Sequence, residues 1–193
     1  MPRLYLIRHA RPSASWGEDP DPGLDALGQT QARATAQALA SSHALVPIYT
    51  SPLRRCRETA APLSELWDCT IQSFPPVAEI PSPPIELAAR REWLGAAMQG
   101  TWARLHATAP DGSIDYLVWR RALVDSLIAM PRDCVIFTHF IAINVAVGAA
   151  TSSEQVVCFR PDHASVTAID ATAGRLSVFE LGREAATSIL TGR

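Results

Sequence analysis

Residues 3–9, RLYLIRH, decide the fold, because a strand-like apolar run ends directly on an arginine and a histidine. A second run, CVIFT at residues 134–138, also ends on a histidine, His139. In open α/β sheets, ligands bind beyond the carboxyl ends of the strands. If the two runs are parallel neighbours, the sequence predicts that His9 and His139 converge at one edge of the sheet.

Strand-like and helical segments alternate along the chain. This alternation predicts a three-layer α/β/α sandwich with a mostly parallel central sheet flanked by helices. Asp25 is the expected N-cap of the first helix. Five prolines make residues 75–84 a predicted loop. The predicted helices cover residues 25–42, 52–67, 86–106, 114–130 and 141–150. The predicted strands cover residues 3–7, 46–50, 70–74, 134–138, 156–159, 166–169 and 176–181.

Composition limits the class of protein. A chain of 193 residues suits a single domain over residues 1–193, and 48% hydrophobic residues exclude global disorder. The net charge of −2 gives no reason to expect a nucleic-acid or membrane partner. We expect a cytoplasmic protein, since neither a signal peptide nor an apolar run of ~20 residues is visible. The four cysteines lack metal-ligand spacing, so no metal site and reduced thiols are expected.

The converging residues suit phosphate chemistry. Guanidinium groups bind phosphate oxygens through two parallel hydrogen bonds. A neutral imidazole can attack phosphorus, and a nearby carboxylic acid could protonate the leaving oxygen. No phosphate-cradling glycine loop precedes a helix, so nucleotide binding of that kind is not indicated. All 17 basic residues are arginine, so a single arginine is weak evidence by itself.

Several stretches, in order along the chain, resemble the histidine phosphatase superfamily, also called the phosphoglycerate-mutase-like family. They cover much of the chain and carry the family's phosphate residues. The resemblance implies a metal-independent phosphomonoester hydrolase of the histidine acid phosphatase type, which works through a phosphohistidine and needs no cofactor. The stretches are LIRHARP at residues 6–12, LDALGQTQA at 24–32, TSPLRRCRETA at 50–60 and VIFTHF at 135–140.

The resemblance also implies roles for individual residues. His9 would be the nucleophile that becomes phosphorylated, and Arg8 beside it would bind the phosphoryl group. Arg55 falls where the family has its second phosphate arginine. His139 would donate a hydrogen bond to the phosphoryl oxygens and stabilise the transition-state charge.

The general acid is the least family-like part of the site. Glu79 falls at about the right distance after the arginine helix, but the stretch around it reads AEIPSPPIE instead of the family sequence. Glu86 is therefore a rival carboxylate. Residues 75–110 are expected to form a lid over the phosphate pocket and to set substrate preference.

Further residues are candidates for lining the same pocket. Arg11, Ser15 and Trp16 follow the predicted nucleophile closely. His163 lies in RPDHASVT, residues 160–167, where the family has a loop that returns to the site.

Elsewhere the chain departs from the family pattern. The family glycine after the first histidine is replaced by Ala10, and the residue after the second histidine is Phe140 instead of glycine. Pro52 stands where the family often has aspartate, and Asn144 where it often has arginine.

Three functions remain open at this point. The favoured one is a phosphatase acting on a phosphorylated small molecule or a phosphoprotein. A phosphoglycerate mutase is less favoured, because 193 residues leave little room for that branch's substrate-covering insertions. A phosphate-binding or interaction module without turnover is the third, supported by the missing sequence around Glu79. We expect a monomer or homodimer.

Overall fold

The computed structural model describes residues 1–15, 17–172 and 174–185. These residues contain a six-stranded sheet with the order β3-β2-β4-β1-β5-β6. The first four strands in chain order run parallel, whereas β5 runs antiparallel to both β1 and β6. The strands are β1 (Arg3–Arg8), β2 (Ile48–Thr50), β3 (Ile71–Ser73), β4 (Cys134–Thr138), β5 (Val166–Thr172) and β6 (Arg175–Glu180).

Helices flank this sheet and connect its parallel strands. Asp25 is the N-cap of the first helix, as predicted, and its carboxylate accepts a hydrogen bond from the Gly28 N–H. Within the described ranges, no helix has the length and apolar character that crossing a bilayer would require. The helices are α1 (Ala26–Ser42), α2 (Arg54–Trp67), α3 (Arg90–Ala97), α4 (Trp102–Ala107), α5 (Tyr116–Ile128) and α6 (Phe140–Thr151).

The central strands bury both of their faces, which produces three layers. Successive strand residues point to opposite faces. Leu6 and Ile136 belong to an apolar cluster with residues of α4, α5 and α6. Ile7 and Phe137 belong to a second cluster with residues of α1 and α2. The predicted α/β/α sandwich with a mostly parallel sheet is therefore confirmed.

The predicted pairing of the two histidine-bearing strands is also confirmed. β1 and β4 are parallel neighbours, with Ile7 opposite Phe137 and Arg8 opposite Thr138. The N–H of His9 donates to the Thr138 carbonyl at 2.9 Å, just past the end of the ladder. The imidazoles of His9 and His139 consequently lie with their ring centroids 5.3 Å apart.

Three predicted elements are wrong in part. The helix expected over residues 86–106 is broken between α3 and α4, where the Thr101 side chain caps the new helix. Residues 156–159 form no strand. Instead, two of their N–H groups donate to the Asn144 side chain. The second helix begins at Arg54 instead of Pro52, since Leu53 is its extended N-cap residue.

Asn144 offers a test of how this loop is held. Its fully buried Oδ1 accepts from the N–H groups of Cys158 and Phe159, each at 2.9 Å. Asn144→Ala leaves both donors without their acceptor, so we expect the free energy of unfolding to fall by about 2–4 kcal/mol. Urea denaturation followed by circular dichroism measures this loss. Thr151→Ala, at the exposed end of α6, is the control and should cost under about 1 kcal/mol. Equal losses would contradict the anchoring role.

Candidate active site

A cavity of about 410 Å³ opens at the carboxyl ends of β1 and β4. Its lining contains residues from the end of β1, from α2, α3 and α6, and from the loop before β5. Trp16 lies outside the described residues. The predicted site residues that line the cavity are Arg8, His9, Ser15, Arg55, Glu79 and His163.

His9 is held as a neutral imidazole with one free nitrogen. Its Nδ1 lies 2.8 Å from the Ala10 carbonyl, which only accepts, so Nδ1 carries the proton and Nε2 keeps its lone pair. The ring is 6% exposed. Burial lowers the pKa of His9 well below its ordinary value, and the nearby His139, Arg55 and Arg8 lower it further. At neutral pH this geometry presents an unprotonated nucleophile.

The residue after His9 is fixed to helix α2. The N–H of Ala10 donates to the Thr59 hydroxyl at 3.0 Å, and that hydroxyl donates to the Arg55 carbonyl at 2.6 Å. The backbone φ angle of Ala10 is not positive, and its side chain packs in a small apolar cluster. The replacement of the family glycine by alanine therefore introduces no backbone strain here.

Arg8 is positioned by the loop before β5. Its Nη1 donates to the Pro161 carbonyl at 2.9 Å, and its Nη2 lies 3.4 Å from His163 Nε2. His163 Nδ1 lies 3.2 Å from the His9 carbonyl, so this ring donates at one nitrogen and accepts at the other. Burial, with a smaller effect from Arg8, lowers the pKa of His163 to about 4. Burial lowers the pKa of Arg8 only to about 10, so the guanidinium keeps its charge.

Arg55 is positioned by His139 and Ser51. Its Nη2 lies 3.1 Å from His139 Nδ1, and His139 Nε2 lies 2.7 Å from the Ser51 hydroxyl. Because a guanidinium only donates, Nδ1 accepts and Nε2 carries the proton. Burial lowers the pKa of His139 well below its ordinary value, with Arg55 and Arg8 acting in the same direction.

This arrangement differs from the expected role of His139. The ring is fully buried, does not line the cavity, and has both nitrogens occupied by protein groups. A direct hydrogen bond from His139 to phosphate therefore stays a prediction. The sequence analysis missed Ser51, although it is the first residue after β2 and stands inside the arginine motif.

Glu79 reaches the cavity, and Glu86 does not. Glu79 Oε1 accepts from the N–H of Ile80 at 3.0 Å and from the N–H of Ile141, in the first turn of α6, at 3.2 Å. Burial raises the pKa of Glu79 above its ordinary value, against the lowering effect of those N–H groups and of the two arginines. Glu86 is exposed and lies outside the cavity lining. Of the two rival carboxylates, only Glu79 shares the cavity with His9.

Arg11 is not brought into the cavity. Its Nε forms an ion pair with Asp25 at the start of α1, and its side chain is more than half exposed. Ser15 does line the cavity, and its buried hydroxyl has no partner among the described residues. Arg160 lines the cavity although it was not predicted, because one arginine among 17 carries little signal.

Comparison with known families agrees with this geometry. A sequence model of the histidine phosphatase superfamily (branch 1) matches residues 4–183, so the chain belongs to that superfamily. The fold resembles mycobacterial glucosyl-3-phosphoglycerate phosphatase, with a TM-score of 0.71 and 23% identity over 95% of this chain and 99% of that one. It also resembles a phosphoserine phosphatase mutant from Entamoeba histolytica, with a TM-score of 0.73 and 19% identity over 94% of this chain and 96% of that one.

Curated relatives match shorter parts of the chain. A PE-PGRS family protein of Mycobacterium tuberculosis is 48% identical over 61 residues, which is 32% of this chain and 10% of that protein. The uncharacterized protein Rv0525 of the same species is 33% identical over 81 residues, 40% of each chain. The matched regions thus span well under half the length of these curated relatives.

Ser51 provides a test of how Arg55 is held. Ser51→Ala removes the stronger acceptor of His139 Nε2–H and leaves only the Cys56 sulfur at 3.3 Å, so the tautomer that accepts from Arg55 is less strongly favoured. We expect inorganic phosphate to bind about three- to tenfold more weakly, measured by calorimetry. Nitrogen NMR of His139 should show a mixture of tautomers. Ser41→Ala, on the exposed face of α1, is the control, and an unchanged His139 tautomer in Ser51→Ala would contradict the mechanism.

Proposed function

We propose that the protein is a phosphomonoester hydrolase that acts through a phosphohistidine on His9. The observation that supports this proposal most directly is the neutral His9 ring, whose Nε2 is free because Nδ1–H donates to the Ala10 carbonyl. His9 shares its cavity with the partly buried Glu79 and with three arginines, Arg8, Arg55 and Arg160. Membership of the histidine phosphatase superfamily supports the same activity.

The reaction divides into two displacements at phosphorus. In the first, the Nε2 lone pair forms the P–N bond while the P–O bond to the leaving alcohol breaks, and the Glu79 carboxylic acid gives its proton to that oxygen. In the second, Glu79 takes a proton from water as the water oxygen displaces His9 and releases inorganic phosphate. The raised pKa of Glu79 favours the protonated form that the first step needs.

Arg8 and Arg55 supply the positive charge for the phosphoryl oxygens. Each is fixed before substrate arrives, Arg8 by Pro161 and His163, and Arg55 by His139. Donors that are already oriented cost little reorganisation during the reaction, which is why such arrangements stabilise transition states well. We propose that His139 acts here mainly by holding Arg55.

The substrate is proposed to be a phosphorylated small molecule. A cavity of about 410 Å³ falls within the usual range for small-molecule sites. Residues 75–110 contribute Glu79, Leu94 and Met98 to its wall, which supports their proposed role as a lid. The presence of Glu79 in the cavity removes the reason for preferring a module without turnover.

Replacing the nucleophile gives the first test. Wild type should release inorganic phosphate from para-nitrophenyl phosphate in the presence of a chelator, and His9→Ala should lower kcat by at least about a thousandfold. His106→Ala, an exposed histidine outside the cavity, is the matched control. Full activity in His9→Ala, or loss of wild-type activity in the chelator, would contradict the proposal. Transfer to an added acceptor alcohol without phosphate release would identify a mutase instead.

Replacing the acid gives the second test. Glu79→Gln should slow an alkyl phosphate by about 10²–10⁴-fold but para-nitrophenyl phosphate much less, because a good leaving group needs little protonation. Glu86→Gln is the matched control and should behave as wild type. Equal loss on both substrates in Glu79→Gln would argue against proton donation.

The pH dependence tests both groups together. The rate on an alkyl phosphate should fall as the pH rises through the raised pKa of Glu79, because the carboxylate can no longer donate. Protonation of His9 should reduce the rate only at a pH well below the ordinary histidine range. The substrate phosphate also titrates at about pH 6. Comparison with Glu79→Gln is therefore needed to separate the titration of the substrate from that of Glu79. In that variant the part of the alkaline decline due to Glu79 should be absent, and an unchanged profile would contradict the assignment.

A further inference from the structure

Arg160 stands at the cavity with a positive charge that none of the described residues pairs with. Its side chain is exposed and lines the cavity, and among the described residues its guanidinium has no hydrogen-bond or ion-pair partner. Asp162 is close in sequence, but it is bound to Arg183 at 2.9 Å. A free guanidinium beside a binding cavity is a donor for a ligand anion.

The backbone that carries Arg160 is firmly anchored. Two residues earlier, the N–H of Cys158 donates to the buried Asn144 side chain. One residue later, the Pro161 carbonyl accepts from Arg8, the proposed phosphate arginine. The Arg160 carbonyl itself accepts from the Ala185 N–H at 2.9 Å. The position of Arg160 is therefore set relative to the phosphate end of the cavity.

A count of charges in the cavity shows what Arg160 can bind. The bases His9 and His163 are neutral near pH 7, since their pKa values are lowered. Arg8 and Arg55 together match the two negative charges of a phosphate monoester. Glu79, the carboxylate in the lining, is protonated in the state that the proposed first step needs, so it offsets none of these charges, and Asp21 lies 3.9 Å from Arg55 but outside the lining. Among the described lining residues, Arg160 then remains as one positive charge beyond those that the phosphate matches. A single carboxylate matches that charge, whereas a second phosphate dianion exceeds it.

The wall of the cavity adds an apolar region. The lining includes Leu94 of α3, Met98 directly after that helix, and Phe140 and Ile141 of α6. The Phe140 ring lies against the phosphate end, with its centroid 5.0 Å from the Arg8 guanidinium carbon. The group attached to the phosphate therefore meets hydrocarbon as well as charge.

From these observations we propose that Arg160 is a specificity-determining residue for substrates whose leaving group carries a carboxylate on a compact, partly apolar body. The proposal rests on the proposed phosphatase function and names its substrate class. The phosphate end would bind at His9, Arg8 and Arg55, and the carboxylate would bind at Arg160.

Matched substrates test this directly. The probes are 4-carboxyphenyl phosphate and its neutral carboxamide analogue, which differ in one charge. Wild type should favour the carboxylate about tenfold in kcat/KM, as expected for a charge-assisted hydrogen bond. In Arg160→Gln this ratio should fall to about one. Arg33→Gln removes an exposed arginine outside the cavity and should keep the tenfold ratio.

A binding measurement separates this proposal from the proposed function. The corresponding benzylphosphonates, with carboxylate or carboxamide, are titrated calorimetrically and require no turnover. Preferential binding of the carboxylate that is lost in Arg160→Gln, without hydrolysis of either ester, would support Arg160 and overturn the phosphatase. Hydrolysis of both esters at equal kcat/KM, with equal phosphonate affinities, would overturn the role of Arg160. Loss of the preference in Arg33→Gln as well would show a net-charge effect and would also overturn it.

Discussion

The parallel pairing of β1 with β4 is the constraint on which the site depends. It places Arg8 opposite Thr138 and lets the His9 N–H donate to the Thr138 carbonyl. Residues separated by most of the chain thereby become neighbours at one edge of the sheet. Both strands are buried on both faces, so a slip of one residue would move their apolar side chains from one core cluster to the other. The register that satisfies the core also brings the histidines together.

Buried positive charges beside the His9 and His139 rings explain why both rings are neutral at this edge of the sheet. Arg8 and Arg55 lie close to both rings, and a buried histidine beside these cations gains little from taking up a proton. Each ring is also held in one tautomer by a partner that can only accept or only donate. The Nδ1–H of His9 donates a hydrogen bond to a carbonyl, whereas His139 accepts one from Arg55. The same electrostatic field thus leaves one histidine with a free nitrogen and ties the other to an arginine.

The sequence was most informative where local pattern and topology coincide. The runs at residues 3–7 and 134–138 predicted two neighbouring strands, and the residues that follow the runs, Arg8, His9 and His139, predicted a phosphate site. Arg11 was misplaced because an ion pair with Asp25 competes for it. Ser51 was missed because its partner His139 is 88 residues away along the chain. Side-chain pairs so far apart along the chain leave no periodic pattern in the sequence. Arg160 was missed for another reason, since one arginine among 17 does not stand out.

Of the single-residue departures from the family pattern, Phe140 lies in the cavity lining, whereas Ala10, Pro52 and Asn144 do not. Ala10 sits in the phosphate half without strain, which leaves the His9 geometry intact. Asn144 stands where the family often has an arginine. Its side chain holds the segment before Arg160. Phe140 adds an aromatic wall beside Arg8. In the proposed phosphatase, the residues assigned to the phosphoryl group are kept and the wall that meets the leaving group differs, because transition-state charge and substrate shape are read by different side chains.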